Sequence, residues 1–200
     1  MMKILLTVPL ALAAISYASL QPGTKPSVTV ADHEWVVDQG HSSVIFRVKH
    51  ANVANFYGVF KSIEGKITLD PASPATGSVW LSIPVDSVDS RDAKRDEHLR
   101  GPDFFNSKEN PTIEFRSSKI VAKGDALEVT GDLELAGQKK SVTMTVQKTG
   151  EGEFYGPRVG YEASFQIKRS EFGMNYGIAK NALGDTVDLM VGLELVKPKK

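Results

Sequence analysis

The chain has 200 residues, no cysteine, and 24 basic residues against 24 acidic ones, a formal charge of zero. That length suits one domain with a sizeable core. The missing cysteine excludes a disulfide scaffold, a thiolate metal site and a cysteine nucleophile. The balanced charge offers no field for gripping nucleic acid or an anionic membrane surface.

Met1 to Ala18 stands apart, with 14 of its 18 residues apolar. Lys3 precedes the apolar run from Ile4 to Ile15. Small residues, Ser16 and Ala18, then occupy the positions a signal peptidase reads, which is the plan of a secretory signal peptide. At about 12 residues, interrupted by Pro9, the run falls short of the ~20 needed to span a bilayer. Residues 1–18 are therefore expected to be a signal peptide cleaved near Ala18, and the mature protein to be periplasmic or secreted. Residues 19–32 are rich in Pro, Ser, Thr and Gly and read as a flexible linker. The folded domain is expected over 33–197, with the lysine-rich end a frayed tail.

From Trp35 onward the dominant signal is alternation with a period of two, the mark of half-buried strands. Ser42, Val44, Phe46, Val48 and His50 fall on one face of the first clear run. A second pattern covers Phe56 to Asp70, with Gly58 and Gly65 as expected bends or bulges. Val79, Leu81, Ile83 and Val85 make a third, and Ile113 with Phe115 a fourth. Further runs are Leu127 to Leu135, Val142 to Val146, Tyr161 to Ile167 and Val187 to Leu195. A parallel sheet, buried on both faces, would lose this alternation. The pattern therefore predicts an all-β, antiparallel fold. The short links Lys123-Gly124-Asp125 and Ala136-Gly137-Gln138 suit hairpins. Eight strands with one apolar face can close into a barrel or split into a sandwich.

Two segments break the pattern. Ser90 to Gly101 predicts a short helix, with Ser90 as candidate N-cap and Gly101-Pro102 as the stop. Phe172 to Asp185 reads as a short helix or a long loop, and long insertions often carry function.

Chemistry-bearing clusters are sparse. Asp96 and His98 are a candidate acid/base pair, but residues two apart on a helix face different ways. Arg95 and Asp96 are expected to be pairs tying the helix to the sheet. The four histidines, His33, His41, His50 and His98, lack metal-site spacing. No nucleophile elbow, zinc-protease helix, P-loop or dinucleotide motif is present.

These residues together resemble the YceI-like family of secreted, lipocalin-like polyisoprenoid-binding proteins. The resemblance runs from about Trp35 to Lys197. It rests on WVVDQGHSSVIFRVKH at 35–50 and on Gly58, Phe60, Gly65 and Ile67. It continues through RDEHLRGPDFF at 95–105, NPTIEF at 110–115, VTGDLELAG at 129–137, RSEFGM at 169–174, and Gly184, Asp185 and Val187. The bulky Asn55-Phe56-Tyr57 before Gly58 departs from it and bears on the pocket mouth.

The resemblance implies an eight-stranded antiparallel lipocalin-like barrel with a short helix insertion and an elongated apolar cavity. It implies a non-covalently held amphiphile with an isoprenoid-type tail and no catalytic activity. The expected ligand is of the quinone or polyprenyl phosphate class, and no cofactor or metal is expected. The expected lining is Phe46, Val48, Phe60, Leu81, Ile83, Phe115, Leu133, Met144, Phe165, Leu189 and Val191. His50, Arg95 and Arg169 are expected near the head group. Alternatives are an interaction module whose insertions at 87–110 and 172–185 bind a membrane redox partner or a second copy, and a lipid-modifying enzyme using His98 and Asp96; outward Ile45, Trp80 and Met190 are candidates for a homodimer interface.

Overall fold

A computed structural model of the chain describes residues 33–199. The signal peptide and linker expected over 1–32 lie outside the described residues.

Eleven strand segments form one antiparallel sheet: β1 Glu34–Val37, β2 Ser43–His50, β3 Ala54–Phe60, β4 Glu64–Thr68, β5 Ser78–Pro84, β6 Val88–Asp89, β7 Thr112–Lys123, β8 Ala126–Leu135, β9 Gln138–Glu153, β10 Pro157–Lys168 and β11 Leu183–Val196. The sheet closes because β1 pairs with β4 on one side and with β11 on the other. The segments make eight staves. β1 and β2 lie end to end along β11, β4 and β3 lie along them, and β5 and β6 along those in turn. Of the two architectures open to alternating strands, this is the barrel.

Alternation sets each strand's inner face. On β8, Val129, Leu133 and Leu135 are buried while Asp132 and Glu134 are exposed. Two hairpins use the turns read from the sequence. Gly124 takes φ 59 between β7 and β8, and Ala136 and Gly137 take φ 49 and 74 between β8 and β9. Two successive left-handed residues match the twist of the flanking strands.

Several local expectations change. The run over Phe56 to Asp70 is two strands, interrupted after Phe60. Gly58 and Gly65 are not bends. They are points where inward side chains lie against bare backbone: a Cβ at Gly58 would meet Phe46 Cζ at 2.1 Å, and one at Gly65 would meet Leu81 Cδ2 at 2.6 Å. β7 extends well past Phe115 to Lys123, its alternation hidden by a register shift between Ser117 and Lys119 that turns Ile120 inward. Most of Gly150 to Gly156, whose composition suggests a turn, is strand.

The barrel's seam is polar. The 3-10 turn Gln39–His41 joins β1 to β2, and Asp38 caps it by accepting from Gly40 N. Asp38 N donates to Glu194 O at 2.8 Å, and Ser42 Oγ accepts from Glu194 N at 3.0 Å, so the turn stays attached to β11. Arg158 Nη1 bridges the carboxylates of Asp38 and Glu194. That guanidinium holds Asp38 down to a pKa of about 2. Lys197 is part of the closure, not a frayed end: its Nζ donates to Glu34 O and sits 3.7 Å from the Trp35 ring centroid.

Candidate functional site

The barrel is hollow. A cavity of about 510 Å³ runs inside it, within the range of ligand sites. Its walls come from the inward positions of the strands. Phe46 and Val48 lie on β2, Phe60 on β3, Leu81 and Ile83 on β5, and Phe115 on β7. Leu133 lies on β8, Met144 on β9, Phe165 on β10, and Leu189 and Val191 on β11; all eleven line the cavity. Many of these inward residues, including Met144, Phe165, Leu189 and Val191, keep partial exposure although they face the interior. In a filled barrel they would be sealed by one another.

The two ends differ. Ile63, Leu69 and Leu195 at one end are buried, with Leu195 only 1% exposed. At the other end the lining includes His50, Arg95, His98 and Tyr176, all exposed. That end is the mouth. It is framed by the β2–β3 turn, by α1 Ala93–Arg100 with the loop after it, and by the segment between β10 and β11.

The helical frame is held on one buried serine. Ser90 is 0% exposed. Asp96 Oδ1 accepts from Ser90 N at 2.7 Å and from Ser90 Oγ at 2.5 Å. Arg95 Nε donates to Ser90 Oγ and Arg95 Nη2 to Ser90 O. Arg95 and Asp96 thus tie the helix to β6 through Ser90, not through a pair of their own. Ser90 is not the N-cap. Asp92 is, accepting from Arg95 N, while Arg91 at φ 67 takes the chain round to it. Gly101 ends the helix as the sequence predicts. The Arg95 guanidinium also stacks on Phe56, 4.4 Å from the ring centroid. The bulky Phe56 therefore does shape the mouth.

The second frame is a loop. The 3-10 turn Arg169–Phe172 is followed by turns up to β11, with no α-helix. Arg169 is buried and lines the cavity, but its guanidinium donates to the carbonyls of Met174, Tyr176, Leu183 and Gly184. Burial pulls its pKa down, and Asp185 nearby opposes that. Asp185 in turn accepts from Ser170 N and Oγ. Arg169 organises the loop. Where the sequence suggests a head-group contact, its donors face backbone.

The frames meet across the mouth. The His98 ring stands edge-on to Tyr176 at 4.8 Å and to Phe104 at 5.0 Å, and His98 Nε2 lies 2.8 Å from Asp103 Oδ2. Asp96 faces Ser90 and His98 faces Asp103, so the fold does not assemble the candidate acid/base pair. Leu99, Phe104, Phe105, Met174 and Tyr176 also line the cavity. Sequence reading passes over them because irregular segments have no period to reveal an inward face. The run GPDFF at 101–105 was the available signal, since two adjacent aromatics rarely both face water. Tyr161 lines the cavity as well, and burial raises the pKa of its phenol. Among the described residues, Asp38, His41 and Glu194 are near enough to share an ion, but Arg158 already bridges the two carboxylates.

A closed antiparallel barrel with an apolar bore, one sealed end and one framed mouth defines a lipocalin-like class of protein. The YceI-like domain model matches residues 35–195, and the chain belongs to that family. It is 35% identical over 190 residues to the protein YceI of Escherichia coli O157:H7, covering 94% of this chain and 98% of that one. The crystal structure of BcnA from Burkholderia cenocepacia superposes with a TM-score of 0.73 at 30% identity, over 79% of this chain and 98% of that one. A polyisoprenoid binding domain from Saccharophagus degradans, implicated in plant cell wall breakdown, superposes at 0.63 over 82% and 98% of the chains. At 15% identity it shows the shared fold alone.

Proposed function

We propose that this protein is a non-catalytic carrier or store for an isoprenoid-type lipid of the quinone or polyprenyl phosphate class, working outside the cytoplasm after its first 18 residues are removed. The observation that carries the reading is the apolar bore. An isoprenoid tail of about 40 carbons costs on the order of 30 kcal/mol to hydrate, at ~0.8 kcal/mol per methylene. Such a tail needs a dry channel to exist singly in water, and the barrel offers one. The tail lies along Phe46, Val48, Phe60, Leu81, Ile83, Phe115, Leu133, Met144, Phe165, Leu189 and Val191. The head group remains at the mouth beside His50 and Arg95, whose Nη1 takes no part in the hydrogen bonds of the described residues. Binding of the named domain from Saccharophagus degradans to polyisoprenoids is consistent with this use of the fold. A filled interior would favour the interaction-module reading, and the enzyme reading built on Asp96 and His98 needs those two side chains to meet.

Native mass spectrometry on protein incubated with solanesol and with a long-chain quinone tests the proposal. The expected result is a one-to-one adduct that is lost in Val191→Trp, which fills the bore. An apo mass alone, across both lipids, contradicts it.

A further inference from the structure

Phe46 and Gly58 are opposite each other in the β2–β3 register, both on the inner face. The Phe46 ring lies directly on the Gly58 backbone. A Cβ at position 58 would sit 2.1 Å from Phe46 Cζ and under 3.0 Å from both Cε atoms. The ring is flat against the wall only because residue 58 has no side chain. Phe60 borders it, with ring centroids 5.8 Å apart, and Phe105 packs edge-on against Phe60 at 5.6 Å. An aromatic row therefore covers this wall from mid-barrel to the mouth loop, and Phe46 is the ring whose position depends on a glycine.

We propose that the Phe46–Gly58 contact sets the bore of the cavity and so the longest isoprenoid-type chain this protein accepts; this rests on the lipid-carrier reading above. Any residue larger than glycine at 58 must drive the ring from 2.1 Å out to ordinary contact at 3.4 Å or more. Phe60 blocks retreat along the wall, and the β-sheet lies behind. The remaining direction is into the lumen, across the path of a chain. Gly131 offers a parallel with Phe115, but a Cβ there would also lie 2.4 Å from the Arg116 carbonyl oxygen. Substitution at 131 must move backbone as well as a ring. At 58 the three nearest atoms all belong to the far edge of the Phe46 ring, so the first thing that must move is the ring.

The test is native mass spectrometry with a ladder of linear prenyl alcohols from farnesol through solanesol to longer polyprenols. It uses the wild type, Gly58→Ala, Phe46→Leu and the double variant Phe46→Leu/Gly58→Ala. The wild type accepts the ladder up to some longest member. In Gly58→Ala that member binds about tenfold or more weakly, or not at all, while farnesol is unaffected. The double variant recovers it, because leucine has no ring to swing inward. Phe46→Leu alone binds the longest member at least as well as the wild type and accepts further members. If Gly58→Ala does not fold, Phe46→Leu decides the matter: an unchanged ladder overturns the inference. An identical ladder in the wild type and a folded Gly58→Ala also overturns it, and leaves the carrier reading intact. A wild type that takes up no prenyl chain of any length removes both.

Discussion

Two residues concentrate the energetics of the site's frame, and a third, Asp38, holds the barrel's seam. Ser90 is buried with both its amide and its hydroxyl on the Asp96 carboxylate, and its hydroxyl also accepts from Arg95. Hydrogen bonds to charged groups contribute about 1.5–3 kcal/mol, and a buried partner left alone costs as much again. Ser90→Ala is expected to lower stability by about 2–3 kcal/mol in urea unfolding. Ser90→Thr keeps the hydroxyl but must fit a methyl into sealed space. Arg169 serves four carbonyls with one planar fork, a geometry that lysine cannot copy. Arg169→Lys should therefore leave the barrel folded but expose residues 173–183 to proteolysis, read as a new cleavage within that segment. Asp38 gives the pH prediction. Arg158 lowers its carboxyl from 3.8 to about 2. A depressed acid stabilises the fold above its unfolded pKa, and that contribution fades as pH falls from 3.8 towards 2. The melting temperature of the wild type should fall across that window, and Arg158→Met should flatten the slope. The seam was not legible in the sequence, because Asp38, Arg158 and Glu194 are far apart in the chain and only closure brings them together.

At the scale of elements, alternation located the staves well, because each strand has one wet face and one inward face. It failed where the inward face is interrupted. The register shift at 117–119 hid half of β7, and the break after Phe60 split one expected strand into β3 and β4. The glycines show the same limit. Composition marks Gly58 and Gly65 as punctuation, while the fold uses them as seats for Phe46 and Leu81, a role that depends on a neighbour no local pattern can name. The Ala136-Gly137 turn was legible, since glycine suits the left-handed region. Gly137 sits at φ 74, and a Cβ there would lie 2.8 Å from Asn110 Oδ1. Gly137→Ala is expected to destabilise by about 1–2 kcal/mol, checked by thermal melting. The mouth elements were the least legible. α1 could be placed by its stop signal, but its attachment through Ser90 and the inward turn of Phe104, Phe105 and Tyr176 arise from tertiary contacts.

For the whole molecule, the question that periodicity leaves open is whether the barrel is filled. The same apolar residues on the same inner faces would build a solid core or line a tube. What decides is side-chain volume summed around eight staves, and the partial exposure of Val191, Leu189 and Phe165 marks a tube. In a filled core, enlarging an inward residue costs about 1–3 kcal/mol. Here Val191→Phe should change the melting temperature little, while Leu195→Phe at the sealed end should lower it clearly. The absence of cysteine fits this arrangement, since closure rests on strand pairing and the Asp38–Arg158–Glu194 seam rather than on crosslinks. The hollow, lipid-holding barrel is tested most directly by a crystal structure of the protein after incubation with solanesol and removal of excess lipid. The expected result is one continuous, elongated density from the mouth at His50 and Arg95 to the sealed end at Leu69 and Leu195. An interior collapsed on itself, with side chains meeting across the axis and the lipid absent, would contradict it.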